Sequence, residues 1–238
     1  MTTPIRAAPV VDPRPYGHAV VRRMNAADQL RSGRKLRRLS QLLIGLIGYG
    51  ASVMMLVTSG LGAASWNVLT EGIAESLEIT FGWATNLVAV VVLLAWIPLK
   101  ELPGLGTLLN VVVVGFAADA ASIVLPTPHY LPVQVGYLVV GLVLLAFCDA
   151  LYLGAHFGAG PRDGVMTGLV RLTRWPVAAV RTGIEVVVAT AGWLLGGTVG
   201  IGTVLIAFGV GPLIGYFLPR VAVSLPETPD TGRPARLR

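Results

Sequence analysis

The chain has 238 residues, of which 54% are hydrophobic and only 13% charged, with a formal net charge of +6 and a mean hydropathy of +0.74. The length suits one or two soluble domains, but so apolar a composition excludes them. A nucleic-acid role is also excluded, because no aromatic or base-reading pattern accompanies the positive charge.

In chain order, residues 1–17 are rich in proline and polar groups and are predicted to be disordered. Residues 19–38 are basic and suit a short helix on the inner leaflet, touching anionic lipid. Six apolar stretches follow, at 39–61, 81–99, 105–125, 133–155, 177–195 and 202–218. A membrane span needs roughly 20 mostly apolar residues. Each must be a helix, because lipid offers backbone groups no partner. The first stretch is too long for a cleavable signal and reads as an uncleaved signal anchor. The single cysteine, Cys148, lies inside a span and excludes an intrachain disulfide.

The cations set the expected topology. Arg6, Arg14, Arg22, Arg23, Arg31, Arg34, Lys35, Arg37 and Arg38 precede or open the first span. Lys100 lies in the second connection. Arg162, Arg171, Arg174 and Arg181 lie in or beside the fourth, and Arg220, Arg233, Arg236 and Arg238 in the C-terminal tail. These are all 18 basic residues. With the N-terminus inside, the three outer connections carry none, as the positive-inside rule requires. The expected location is a bacterial inner membrane, multi-pass, with both termini cytoplasmic.

Two glycine motifs recur together. Gly62-Ala-Ala-Ser-Trp-Asn67 returns as Gly158-Ala-Gly-Pro-Arg-Asp163, and Gly104-Leu-Gly-Thr107 as Gly200-Ile-Gly-Thr203; both pairs lie 96 positions apart. Each copy holds three spans, an odd number, so the second copy enters the membrane from the opposite side. The expected fold is all-α: a polytopic membrane protein of six helices in two inverted three-helix repeats, 39–125 and 133–218. The flanks 1–38 and 219–238 are expected to be cytoplasmic tails, the first basic and partly disordered. Segments 66–79 and 162–175, after spans one and four, reach about 21 Å as helices. That is short of the roughly 30 Å hydrocarbon core, so they read as interfacial or re-entrant, with Asn67 and Asp163 as capping candidates.

Intramembrane charges need a reason. Asp119, Asp149, Arg181 and Glu185 all fall within spans, the last two one helical turn apart on one face. Gly158–Gly164 offers a tight turn, Pro161 as a helix opener, and an anion site from a helix N-terminus plus Arg162; its other reading is a turn with Asp163 as cap. No Gly-Lys-Ser/Thr ending makes it a nucleotide loop. Thr107 and Thr203 open spans and are secondary candidates. Glycines 72, 168, 115 and 211 suit close helix packing, and Gly211-Pro212 predicts a kink or break. Trp66, Trp96, Tyr130 and Trp175 fit an interfacial aromatic belt. The histidines lack metal-ligand neighbours at useful spacing, and no hydrolase motif is present. No metal, cofactor or enzymatic activity is expected.

The run Leu151-Tyr-Leu-Gly-Ala-His-Phe-Gly-Ala-Gly-Pro-Arg-Asp-Gly-Val-Met166, followed by Arg181-Thr-Gly-Ile-Glu185, by Gly192-Trp-Leu-Leu-Gly-Gly-Thr-Val-Gly-Ile-Gly-Thr203 and by Gly211-Pro212, resembles the YczE-like bacterial membrane proteins, related to the YitT group. The resemblance covers residues 40–218. In the first half Ser65 and Asn67 stand where such proteins tend to carry proline and an acid. It implies a bacterial inner-membrane protein with no catalytic residues to transfer.

The leading expectation is a small-molecule or ion transporter with a site between the halves, formed by Arg162, Asp163, Arg181, Glu185 and Asp149, with Thr107 and Thr203 beside it. The alternative is a non-transporting regulatory or scaffold protein acting through its basic tail or a partner. Expected partners are the bilayer, anionic inner-leaflet lipids and a small solute, and no nucleic acid.

Overall fold

Every regular element among the described residues is a helix, as a backbone surrounded by hydrocarbon requires. The structure, a computed structural model, describes residues 33–158 and 160–223. Residues 1–17, most of 19–38, and 224–238 lie outside the described residues. The helices are α1 (Lys35–Thr58), α2 (Ser65–Leu77), α3 (Phe81–Leu94) with its one-turn continuation α4 (Trp96–Leu99), α5 (Leu105–Val124), α6 (Leu131–Gly154), α7 (Pro161–Thr173), α8 (Val177–Leu194) and α9 (Ile201–Val221). Six are long and apolar enough to cross a membrane: α1, α3 with α4, α5, α6, α8 and α9. Their outer faces are apolar, with Ile44, Val91, Phe116, Val140, Val187 and Phe208 among the exposed side chains.

The repeat is present in the backbone. Helices α1, α2, α3 and α5 begin at residues 35, 65, 81 and 105; α6, α7, α8 and α9 begin at 131, 161, 177 and 201. Every start is displaced by the same 96 positions. Left-handed residues repeat too: Gly62 and Gly158 have φ 107 and 110, Glu78 and Arg174 have 53 and 58, and Gly60 and His156 have 69 and 57. Such φ values are uncommon outside glycine, so their recurrence with Glu, Arg and His marks a common backbone path.

Helix α1 is the central element, packed on α5 and α6. Its glycines let the backbones close in: a Cβ on Gly45 would lie 2.8 Å from the Tyr152 amide nitrogen, and one on Gly50 would lie 2.4 Å from the Val114 carbonyl oxygen. The two glycine motifs bind each other across the halves. Gly202 N–H donates to the Leu61 carbonyl and Gly106 N–H to that of Phe157, both at 2.8 Å. A Cβ on Gly62 would sit 2.5 Å from Gly200 N. The short helices cross over as well. The Thr198 amide and hydroxyl donate to Glu71 of α2, and Arg171 of α7 pairs with Glu101 at 2.8 Å.

Several expectations are corrected. Helix α1 begins at Lys35, earlier than residue 39, because Arg38 is buried rather than left in the tail. Its guanidinium donates to the carbonyls of Ala155 (2.9 Å) and His156 (3.1 Å), and lies over the Phe157 ring. Gln41 similarly ties α1 to the Leu151 and Val221 carbonyls. Helix α9 runs unbroken through Pro212 and on to Val221. Pro212 removes one backbone donor, but the turns on either side hold the helix together. Trp66 and Trp96 are core residues rather than belt residues, since Trp96 donates to the Pro161 carbonyl at 2.8 Å; Tyr130 and Trp175 are exposed.

Equivalent helix pairs pack unequally. Asp119 of α5 accepts from the Thr80 hydroxyl (2.6 Å) and the Gly82 amide (2.7 Å), latching α3 to α5. A Cβ on Gly115 would lie 2.3 Å from the Gly82 carbonyl oxygen. In the second copy Pro176 and Gly215 replace Thr80 and Asp119, and α8 and α9 barely touch. Gly211, expected to pack closely like Gly115, faces open space.

The equivalent glycines therefore differ in tolerance. Gly115→Val should cost about 1–3 kcal/mol or more by overpacking, seen as a clear fall in thermal midpoint in detergent, whereas Gly211→Val should shift it little. The buried His156 bonds the Val223 carbonyl through Nε2 and leaves Nδ1 without a partner. Burial lowers its pKa from the ordinary 6.5; the Val223 bond works against this and the Arg38 charge adds to it. The unfolded chain thus takes up this proton first, and stability is lost as pH falls through about 6.5. A His156→Gln variant should show a flatter thermal midpoint between pH 7.5 and pH 5.5, values chosen about one unit either side of the ordinary histidine pKa.

Candidate functional site

Two helix N-termini meet at the junction of the copies. Helix α2 starts after Ala64 and α7 after Gly160; neither residue offers a capping side chain. Pro161 opens α7 with φ already set and no amide to satisfy. Trp96 fixes that turn: a Cβ on Gly164 would lie 2.0 Å from its ring. Of the two capping candidates, Asp163 takes a backbone hydrogen bond from Gly160 from inside the helix. Asn67 instead accepts from Arg162, at a long 3.4 Å. The Arg162 guanidinium lies 5.2 Å from the centre of the Trp66 ring, within cation–π range. Arg162 therefore bridges the first turns of both short helices.

These turns form one wall of a cavity of about 230 Å³. Helices α1, α3, α5, α6, α8 and α9 supply the rest. Asp149, Arg162, Asp163, Arg181, Glu185 and Thr203 all line it. Five of these come from three helices and were brought together only by folding. Thr107 is not among the lining residues. It is fully buried and accepts from the Gly104 amide at 3.2 Å, as Thr203 does from Gly200 at 3.3 Å. Both threonines hold helix starts. Asp119, the remaining intramembrane charge, is also outside the cavity, in the α3–α5 latch.

Sequence reasoning missed several lining groups: Tyr49, Tyr152, Thr85 and Asn110. Tyr152 is 3% exposed, and its hydroxyl has no hydrogen-bond partner. A tyrosine near the end of a span reads as an interfacial anchor, so only packing distinguishes it. Equivalent positions of the two copies line the cavity: Trp66 is matched by Arg162, Thr85 by Arg181 and Ala89 by Glu185, and all six line it. Asp149 has no charged match, because Val53 occupies its place.

The electrostatics are mixed. Burial pushes the Asp163 carboxyl above the ordinary carboxylate range; the Arg181 charge, the Gly160 backbone bond and Arg162 oppose this, and Glu185 adds to it. Arg181 therefore acts on Asp163 across the cavity wall. Among the described residues no group of three or more metal-ligating side chains clusters. The cavity can hold a small polar molecule by charge and hydrogen bonding.

Six apolar helices, two short helices and a charged cavity lined by both copies define a multi-pass helical membrane protein with an internal polar cavity. Comparison with known proteins places it further. Residues 36–219 match a family described as a family of unknown function, DUF6198, and the chain belongs to it. It is 39% identical over 193 residues to an uncharacterized protein of Haemophilus influenzae, covering 81% of this chain and 88% of that one. It is 30% identical over 179 residues to the uncharacterized membrane protein YczE of Bacillus subtilis, covering 74% and 81%. The resemblance read from the second-half motifs is thus confirmed. No solved structure matches.

Proposed function

We propose that this chain is a small secondary-transporter-like protein of the bacterial inner membrane, with both termini cytoplasmic and no enzymatic activity, whose solute binds between two inverted three-helix halves. The observation that carries this reading is the charged cavity lined by equivalent positions of both copies, flanked by one tightly packed helix pair and one separated pair. Inverted repeats give two alternative conformations that exchange the roles of the halves. In one, α3 closes on α5 through Gly82, Gly115 and Asp119 while α8 stands away from α9. In the other, α8 closes on α9 over the bare Gly211 surface and α3 loosens. Arg181 and Glu185 on α8 would travel with that motion, coupling the solute to it. A scaffold needs no such cavity, and five charged side chains lining it would only cost it stability.

Two measurements check this. In proteoliposomes, uptake from a broad panel of labelled solutes should be carried by the wild type, while Arg181→Ala and Glu185→Ala fold normally and reduce flux by about tenfold or more. Normal folding with no flux for any solute would reject transport. In a Cys148→Ser background, Trp83→Cys/Phe116→Cys should cross-link readily, since these rings are 5.7 Å apart. Ala178→Cys/Gly211→Cys, spanning the open pair, should cross-link slowly and faster when solute is present. Failure of the second pair under every condition would favour the scaffold reading.

A further inference from the structure

The chemistry of the cavity narrows what it can bind, given the reading of it as a solute site. Its wall carries Arg162 and Arg181 against Asp149, Asp163 and Glu185. The N-termini of α2 and α7 each add roughly half a positive charge. The wall is therefore close to neutral in sum and presents both signs, with a cation and a carboxylate on each of α7 and α8. A lone anion would meet three carboxylates, and a lone cation would meet two guanidiniums and two helix ends. A molecule bearing one charge of each sign satisfies both sets.

Two further features constrain it. The Tyr152 hydroxyl, buried and without a partner, lines this cavity. An unmatched buried hydroxyl is costly, and a ligand atom is the natural partner. The remaining lining includes Val88, Leu145, Ile184, Ile206 and Val210, an aliphatic surface. At about 230 Å³ the cavity is also smaller than the roughly 300–1,000 Å³ of drug-sized pockets.

We propose that the cavity binds a small zwitterion, an ammonium-carboxylate molecule of amino-acid size with an aliphatic body. The carboxylate lies toward the helix ends of α2 and α7 and Arg162. The ammonium lies toward Asp149 and Glu185, and the Tyr152 hydroxyl bonds the ligand between them. Arg162 suits the first role because it spans both helix starts, and its planar guanidinium can grip a carboxylate with two parallel bonds.

The test uses the full chain in nanodiscs, with tryptophan-fluorescence thermal shift and equilibrium binding. The probes are a zwitterion series from glycine to L-leucine with glycine betaine, plus two analogues of leucine lacking one charge each, 4-methylpentanoate and 3-methylbutylamine. At least one zwitterion should stabilise the protein, and each single-charge analogue of leucine should bind about tenfold or more weakly than leucine. Betaine separates an ammonium held by hydrogen bonds from one held by charge alone; binding of either kind of zwitterion supports the proposal. Arg162→Gln should cut leucine affinity by about tenfold and bring leucine and 3-methylbutylamine to within a few-fold of each other. Tyr152→Phe should weaken binding several-fold while leaving the ligand-free thermal midpoint unchanged or higher, an outcome a purely structural tyrosine would not give. Equal binding of either single-charge analogue, no response to any zwitterion, or a lower ligand-free midpoint for Tyr152→Phe would overturn it. Zwitterion binding without flux would reject transport and leave this inference standing; flux of a singly charged solute without zwitterion binding would do the reverse.

Discussion

The structure depends on one reciprocal contact, the docking of each copy's glycine turn onto the other copy's helix start. Leu61 and Phe157 offer their carbonyls to Gly202 and Gly106 at the same distance, and Gly62 and Gly158 turn in the left-handed region beside them. Four glycines are needed because backbone meets backbone: a Cβ at Gly62, Gly106, Gly200 or Gly202 would lie 3.0 Å or less from a main-chain atom of the other half. In a low-dielectric interior these amides have no water to fall back on, so each bond matters more than its counterpart in a soluble protein. This contact joins the halves and seats the starts of α5 and α9. It also places the turns leading into α2 and α7 side by side.

The site follows from that placement. Once both short helices start at one point, their N-terminal fields overlap, and Arg162 can reach from one to the other. The second half then adds Asp149, Arg181 and Glu185 at positions where the first has Val53, Thr85 and Ala89. The frame is symmetric and the charge is not. The same asymmetry extends to packing. Thr80 and Asp119 latch α3 to α5, while Pro176 and Gly215 leave α8 with no corresponding bond to α9. A conformational bias can thus arise from a few substitutions within otherwise equivalent helices.

Much of the site was legible in advance because charge in a span is rare and costly. Asp149, Arg181 and Glu185 stood out on that ground, Arg162 and Asp163 through the glycine turn at a helix start, and all five share the cavity. Asp119 stood out on the same ground but serves the latch, because hydropathy gives a residue's depth and not the helix it faces. Thr107 looked equivalent to Thr203 in the sequence, yet it does not line the cavity. Tyr152 went unnoticed and Trp66 was read as a belt residue, since aromatic residues near span ends ordinarily sit at the interface. Arg38 was read as a topology charge, and carbonyls more than a hundred residues away bury it.

By itself the sequence determined six apolar helices, two short ones, and a repeat of 96 positions, because insertion into lipid is governed by local hydropathy and backbone self-sufficiency. It also marked which residues were too polar to be idle. Only the tertiary structure decided which charges converge, which tyrosine hydroxyl is left unmatched, and which glycine surface stays bare. Those outcomes depend on contacts between residues far apart in the chain, where one side-chain volume or one backbone bond chooses between a closed helix pair and an open one.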